Sequence, residues 1–150
     1  MRILNSFLAL VFVASSLTAS AQTNLDSLLT GFSYENRKEM KITSQQIVEL
    51  LEEEKAVLVN IRFKEEQESW QINHAIKMPL PVLPQNYRQL PKNKLIVTAS
   101  PHKDRAIIAM LYLRSKGYRA AYLKEGMLGL AEYLRGDRAK AFILQLNDKN

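Results

Sequence analysis

Apolar positions fall along this chain in short blocks that alternate between a helical and an extended rhythm. Thr43 followed by Gln46 is a capping box, and Ile47, Val48, Leu50 and Leu51 then form the buried stripe of a helix. The run Glu52-Glu53-Glu54 closes that helix and reads as a solvated face. Residues 56 to 61 are apolar except for Asn60, the pattern of a strand covered on both faces. Residues 64 to 70 predict one or two helical turns, and residues 75 to 78 a short strand. Pro79, Pro81 and Pro84 stop that strand, because proline cannot donate to a ladder. Residues 95 to 99 are a further buried strand. Residues 105 to 116 then read as a helix ended by Gly117, the usual left-handed stop. Residues 120 to 123 return to strand, and Met127, Leu128, Leu130, Ala131 and Leu134 to helix, with another helix over 138 to 146. Strands alternating with helices predict a single α/β domain with a mainly parallel central sheet flanked by helices.

Ahead of that pattern, residues 1 to 21 have the form of a secretory signal. Arg2 gives a positive start, residues 7 to 14 an unbroken apolar run, and Ala19-Ser20-Ala21 a small-residue cleavage site before Gln22. Asn5, Ser6, Ser15, Ser16 and Thr18 interrupt the stretch, which argues against an uncleaved anchor and for a chain without an integral span after cleavage. The expected destination is the periplasm or the exterior. Residues 22 to 41 read as a lead-in segment, 42 to 135 as the domain, and 136 to 150 as a helical tail. Ala139, Phe142, Ile143 and Leu146 of the tail could pack on the domain or on a partner.

The chain has no cysteine, so no disulfide or cysteine-linked lipid supports it and stability rests on packing. Lysines and arginines outnumber acids by 21 to 15, but they are scattered and lack the interleaved aromatics that stack on bases. Nucleic-acid binding is therefore not expected. Attraction to anionic envelope surfaces would be weak and screened by salt. The two histidines, His74 and His102, are far apart in sequence, so no metal site is expected, and no cofactor.

In an open parallel sheet, ligands bind beyond the carboxyl ends of the strands. Residues 99 to 105, Ala-Ser-Pro-His-Lys-Asp-Arg, leave a buried strand and enter a helix whose first N–H groups are available to an anion. Other pieces stand in a telling order around it: Asn60-Ile61-Arg62, then Glu66 to Ala75 with Pro79 beyond, then Leu95 to Leu113 with Gly117-Tyr118, then Leu123-Lys124-Glu125-Gly126. In that order the chain resembles the rhodanese-like family over roughly residues 42 to 133.

The resemblance implies an active loop of the form Cys-x-x-Gly-x-Arg-Ser. With Arg105 aligned, Ser100 stands at the cysteine, Lys103 at the glycine and Ala106 at the serine. Asn60 replaces an acidic residue, Trp70 and Gln71 a Gly-His pair, His74 a second glycine, and Glu125 the first glycine of a pair. Arg62, Ile72, Ala75, Pro79, Arg105 and Gly126 match. The family's persulfide needs a thiolate, and a serine hydroxyl is no substitute without a dedicated base, so sulfur transfer and the related cysteine phosphatase chemistry are both excluded.

The cradle itself is altered. Pro101 offers no N–H, Asp104 brings negative charge, and Lys103 stands where glycine's backbone freedom is expected. The anion or ligand candidates are therefore side chains: Ser100, His102, Lys103, Arg105 and Arg62. Arg105 and Arg62 read first as groups that hold the loop by hydrogen bonds, Trp70 as a core or lid anchor, and His74 as a packed or exposed histidine. The expected function is a catalytically inactive exported module that binds an envelope protein or a small anion. The rival is a hydrolase using Ser100, His102 and Arg105.

Overall fold

A computed structural model describes residues 25 to 148. The expected export signal at 1 to 21 lies outside the described residues. Five parallel strands make the sheet: β1 (Lys41–Ile42), β2 (Ala56–Asn60), β3 (Ile76–Lys77), β4 (Leu95–Ala99) and β5 (Ala120–Leu123), in the order β1-β5-β4-β2-β3. Ala56 lies opposite Leu95 and Asn60 opposite Ala99, while Ile96 lies opposite Ala120. All strands therefore point the same way, and the turn after Ala99 opens at the sheet's carboxyl end.

The apolar runs alternate as a pleated sheet requires. Leu58 and Val97 face one side, where they meet α3 (Ser44–Glu52), α7 (Gly126–Tyr133) and α8 (Asp137–Asn147) through Ile47, Met127, Leu130 and Phe142. Val59 and Ile96 face the other, against Ala106, Met110 and Leu113 of α6 (Asp104–Ser115) and Leu83 and Leu90. Both faces are dry, which is why these strands carry near-continuous hydrophobic runs instead of alternating ones.

Local chemistry sets the helix ends. The Gln46 N–H donates to Thr43 Oγ1 at 3.2 Å and the Thr43 N–H to Gln46 Oε1 at 2.9 Å, so the capping box of α3 is complete. At the far end Glu54 turns the chain at φ 56°, a left-handed conformation that most side chains resist. Gly117, at φ 79°, ends α6 as expected, with its N–H on the Arg114 carbonyl and the Tyr118 N–H on the Leu113 carbonyl.

Two regions depart from the sequence reading. Residues 25 to 41, read only as part of a lead-in segment, form α1 (Leu25–Thr30), α2 (Tyr34–Glu39) and, with Ile42, the edge strand β1, whose Lys41 lies opposite Tyr122. These elements are too short to show a periodicity, although Ser33 and Asn36 make a reciprocal cap at the start of α2. The proline-rich stretch is helical: a 3-10 turn at Leu80–Val82, α5 (Leu83–Asn86) and another 3-10 turn at Tyr87–Gln89. Proline stops a strand but suits the first turn of a helix, where its missing N–H is not needed. The short helix expected over 64 to 70 is α4 (Lys64–Ser69). The tail, α8, packs on the domain: Phe142 is buried and the His74 ring meets it edge-on at 5.7 Å. No helix among the described residues is long and apolar enough to cross a membrane.

Candidate functional site

The turn joining β4 to α6 is held from below by its own serine. Ser100 is fully buried, its Oγ accepts the Ala106 N–H at 3.1 Å, and its hydroxyl donates to the His102 carbonyl at 3.1 Å. One of the otherwise unpaired N–H groups of the first turn of α6 is thereby satisfied, the work of an N-cap performed from four residues upstream. Ser100 donates to a backbone carbonyl and not to the imidazole of His102, so a serine–histidine pair of the kind a hydrolase uses is not formed.

From above, the turn is clamped by α7. The Met127 N–H donates to the Ser100 carbonyl at 2.8 Å, and the Leu128 N–H reaches the Pro101 carbonyl at 3.4 Å. Gly126 sits at φ 68°, and a Cβ there would come within 2.3 Å of the Pro101 oxygen. Only glycine allows both that backbone conformation and that approach. Glu125, in the preceding position, reaches back to α3, where its Oε2 accepts the Ser44 N–H at 2.8 Å and the Ser44 hydroxyl at 3.2 Å. A carboxylate at the positive end of α3 is the favourable sign for the helix dipole.

Arg105 is fully engaged within the protein. Its Nη1 and Nη2 donate to Glu66 Oε2 and Oε1 at 2.6 and 2.9 Å, a bidentate pair, and its guanidinium lies 5.1 Å from the Phe63 ring centre. The Arg105 hydrogen bonds pull the Glu66 carboxyl down from 4.5 to about 2, helped by the Phe63 N–H, while burial opposes the shift. The same hydrogen bonds raise Arg105. Glu66 is the functional residue whose role the sequence reading did not identify. Its position, three residues after Phe63 at the start of α4, turns its carboxylate back to the Phe63 N–H and so toward the turn.

Arg62 is buried beside this pair. Its Nε donates to Asn60 Oδ1 at 3.1 Å and its Nη2 to the Trp70 carbonyl at 2.6 Å, while the guanidinium stacks 3.9 Å from the Trp70 ring centre. Nη1 has no partner, and burial lowers the Arg62 pKa, with Glu66 opposing. The two replacements at 60 and 70 therefore act together: the amide at Asn60 accepts a hydrogen bond without supplying charge, and the indole at Trp70 supplies a ring face in its place.

The structure thus buries Ser100 and Arg62 and engages the partly exposed Arg105 with Glu66 beside them. The His102 and Lys103 side chains are instead exposed, with no side-chain hydrogen bond or ion pair among the described residues, while their carbonyls accept the Ser100 hydroxyl and the Ile107 N–H. Phe63 and Leu128 are exposed; the Phe63 ring lies against Arg105, and the Leu128 N–H reaches the Pro101 carbonyl. A buried, doubly bonded hydroxyl and a neutralised arginine are poor tools for nucleophilic chemistry, whereas an exposed imidazole and ammonium are free to meet another molecule.

Residues 43 to 132 match the family model described as the rhodanese-like domain. Among solved structures, the chain is similar to a rhodanese-related protein from Thermoplasma volcanium, with 18% identity over 62% of this chain and 91% of that one, at a TM-score of 0.57. It is similar to a rhodanese-like domain protein from Staphylococcus aureus, with 25% identity over 60% and 89% of the two chains, at a TM-score of 0.56. It is also similar to the reduced CoADR-RHD of Bacillus anthracis, with 22% identity and a TM-score of 0.57, where 63% of this chain spans 17% of that longer one. No curated protein matches it.

Proposed function

Because this chain belongs to the rhodanese-like domain family, we propose that it keeps the family's fold while serving as an exported binding module that transfers no sulfur. The observation that carries the reading is the hydroxyl at the head of the turn. Ser100 is buried, and both its bonding capacities go to the turn's own backbone. With no cysteine in the chain, nothing there can hold a persulfide. The Glu66 carboxylate occupies the Arg105 guanidinium, so an incoming anion would have to break a bidentate pair to use it. The exposed groups of the turn, His102 and Lys103, are what a partner would touch, whether an envelope protein or a small anion. Export is supported by the charged start, apolar run and small-residue cleavage pattern of residues 1 to 21.

A paired experiment tests this reading. Purified protein is assayed for thiosulfate-to-cyanide sulfur transfer, with no turnover expected above a heat-killed control. A photo-crosslinking amino acid is then placed at Lys103 in expressing cells. Crosslinking to one reproducible envelope component supports the module; cyanide turnover, or the full precursor retained in the cytoplasm, overturns it.

A further inference from the structure

Helix α6 is apolar nearly all round, the pattern of a helix with cover on every side. Ala106, Ala109, Met110 and Leu113 are buried against the sheet side, and α1 packs along one flank. The outer face has no such cover. Ile108 stands there 57% exposed, one turn ahead of the half-buried Leu111 and Tyr112. The segment over α1 repeats the imbalance. Leu25, Leu28 and Leu29, with Phe32 just beyond the helix, follow the spacing of one helical stripe, yet only Leu28 is partly buried and the other three are exposed.

Where this segment meets α6 the surface is recessed. Leu28, Gly31, Phe32, Met40, Met110 and Leu111 line a hollow of about 120 Å³. Small-molecule sites begin at roughly 300 Å³, so the recess suits a single aliphatic side chain better than a ligand. Ile108 projects from the same helix one turn away. A projecting side chain beside a recess of its own size is the arrangement that a two-fold contact uses, since each copy then offers a knob to the hollow of the other.

Area and charge both favour a second copy as the occupant. The exposed side chains of Leu25, Leu29, Phe32 and Ile108 together present on the order of 400 Å² of apolar surface. A stable interface takes roughly 800 Å² from each partner, a little over half of it apolar, so the patch matches the apolar part of one such face. The two ends of α6 carry opposite charge: Asp104 is its first residue, Lys116 follows its last, and neither is in an ion pair among the described residues. Two α6 helices packed antiparallel bring each Asp104 toward the Lys116 of the other copy. An anionic lipid surface fits less well, because the acids Asp26, Glu35 and Asp104 border the patch in the chain as closely as the cations Arg37 and Lys38.

We infer that the chain pairs with a second copy of itself through this face, the α6 helices running antiparallel and Ile108 of each copy seated in the α1–α6 hollow of the other. The pairing does not rest on the role of the turn at Ser100.

The test is sedimentation velocity of the purified chain over a concentration series, where a monomer–dimer equilibrium is expected. Ile108→Glu should weaken association by about thirtyfold, the effect of losing one interface anchor. Because Ile108 is exposed within one copy, that variant should melt close to the parent in dilute solution. Asp104→Lys and Lys116→Glu should each weaken association when alone. An equimolar mixture of those two variants should regain it, because antiparallel helices then set unlike charges opposite one another at both ends. A chain that stays monomeric throughout, association indifferent to Ile108→Glu, or a mixture no stronger than its components overturns the inference. A monomer that sediments with phosphatidylglycerol vesicles but not with phosphatidylcholine vesicles overturns it in favour of a lipid surface.

Discussion

The Glu66–Arg105 pair decides what the altered loop can do. A carboxyl held at about 2 in the folded chain, against its ordinary 4.5, contributes stability above the unfolded value and loses it as pH falls toward the folded one. The pair is partly exposed, so solvent screening reduces its worth to about 1 to 2 kcal/mol. The parent chain is therefore expected to lose that stability between pH 4.5 and about 2. Glu66→Gln should melt lower than the parent at pH 7 and nearly match it at pH 2, which thermal denaturation at the two pH values checks. Equal melting temperatures at pH 7 would mean the pair positions the loop without stabilising it. The motif alignment marked Arg105 but not its partner, because an ion pair spanning 39 positions leaves no local pattern.

At the scale of elements, the strongly periodic segments were legible, as were the short α4 and β3, whereas the short elements ahead of α3 were not. The boundaries of β4 and β5 coincide with the apolar runs, since strands covered on both faces carry few polar positions to blur them; the one in β4, Thr98, is buried with its hydroxyl on the Ala106 carbonyl. The six-residue helices α1 and α2 and the two-residue β1 bury too little for a pattern to emerge, and all residues of α1 and α2 are at least partly exposed. Helix α3 ends on an informative irregularity. Glu54 holds φ 56°, where a side chain costs about 1 kcal/mol relative to glycine, so Glu54→Gly should raise the melting temperature, by about 0.5 to 1 kcal/mol of stability in chemical denaturation. The tail makes the opposite case. Phe142 is 3% exposed and joins α8 to the cluster containing Ile47 and Leu130, so Phe142→Ala should cost about 3 kcal/mol. A loss below about 1 kcal/mol would show that α8 is only loosely held.

Taken as a whole molecule, the domain preserves the architecture on which a carboxyl-end loop is normally poised, and the order of motifs was enough to place that loop before any coordinates. What the sequence could not show was the orientation of Ser100. A hydroxyl facing a cleft and one facing the backbone have the same letter, and only the bonds to Ala106 and His102 distinguish them. This orientation leads to a specific expectation for Ser100→Cys. The new thiol would occupy a buried position, beside Pro101, which contributes no N–H. Burial favours the neutral thiol over the reactive thiolate, opposed only by the one N–H, that of Ala106, which this side-chain position accepts. The α7 clamp at Gly126 also leaves the turn little room to reopen around a larger, charged persulfide. Ser100→Cys alone is therefore expected to give no cyanide turnover above the parent and no persulfide on mass spectrometry after exposure to thiosulfate. Persulfide formation by that single variant would mean that the loop still accommodates an anion and that the missing sulfur atom was its one deficiency.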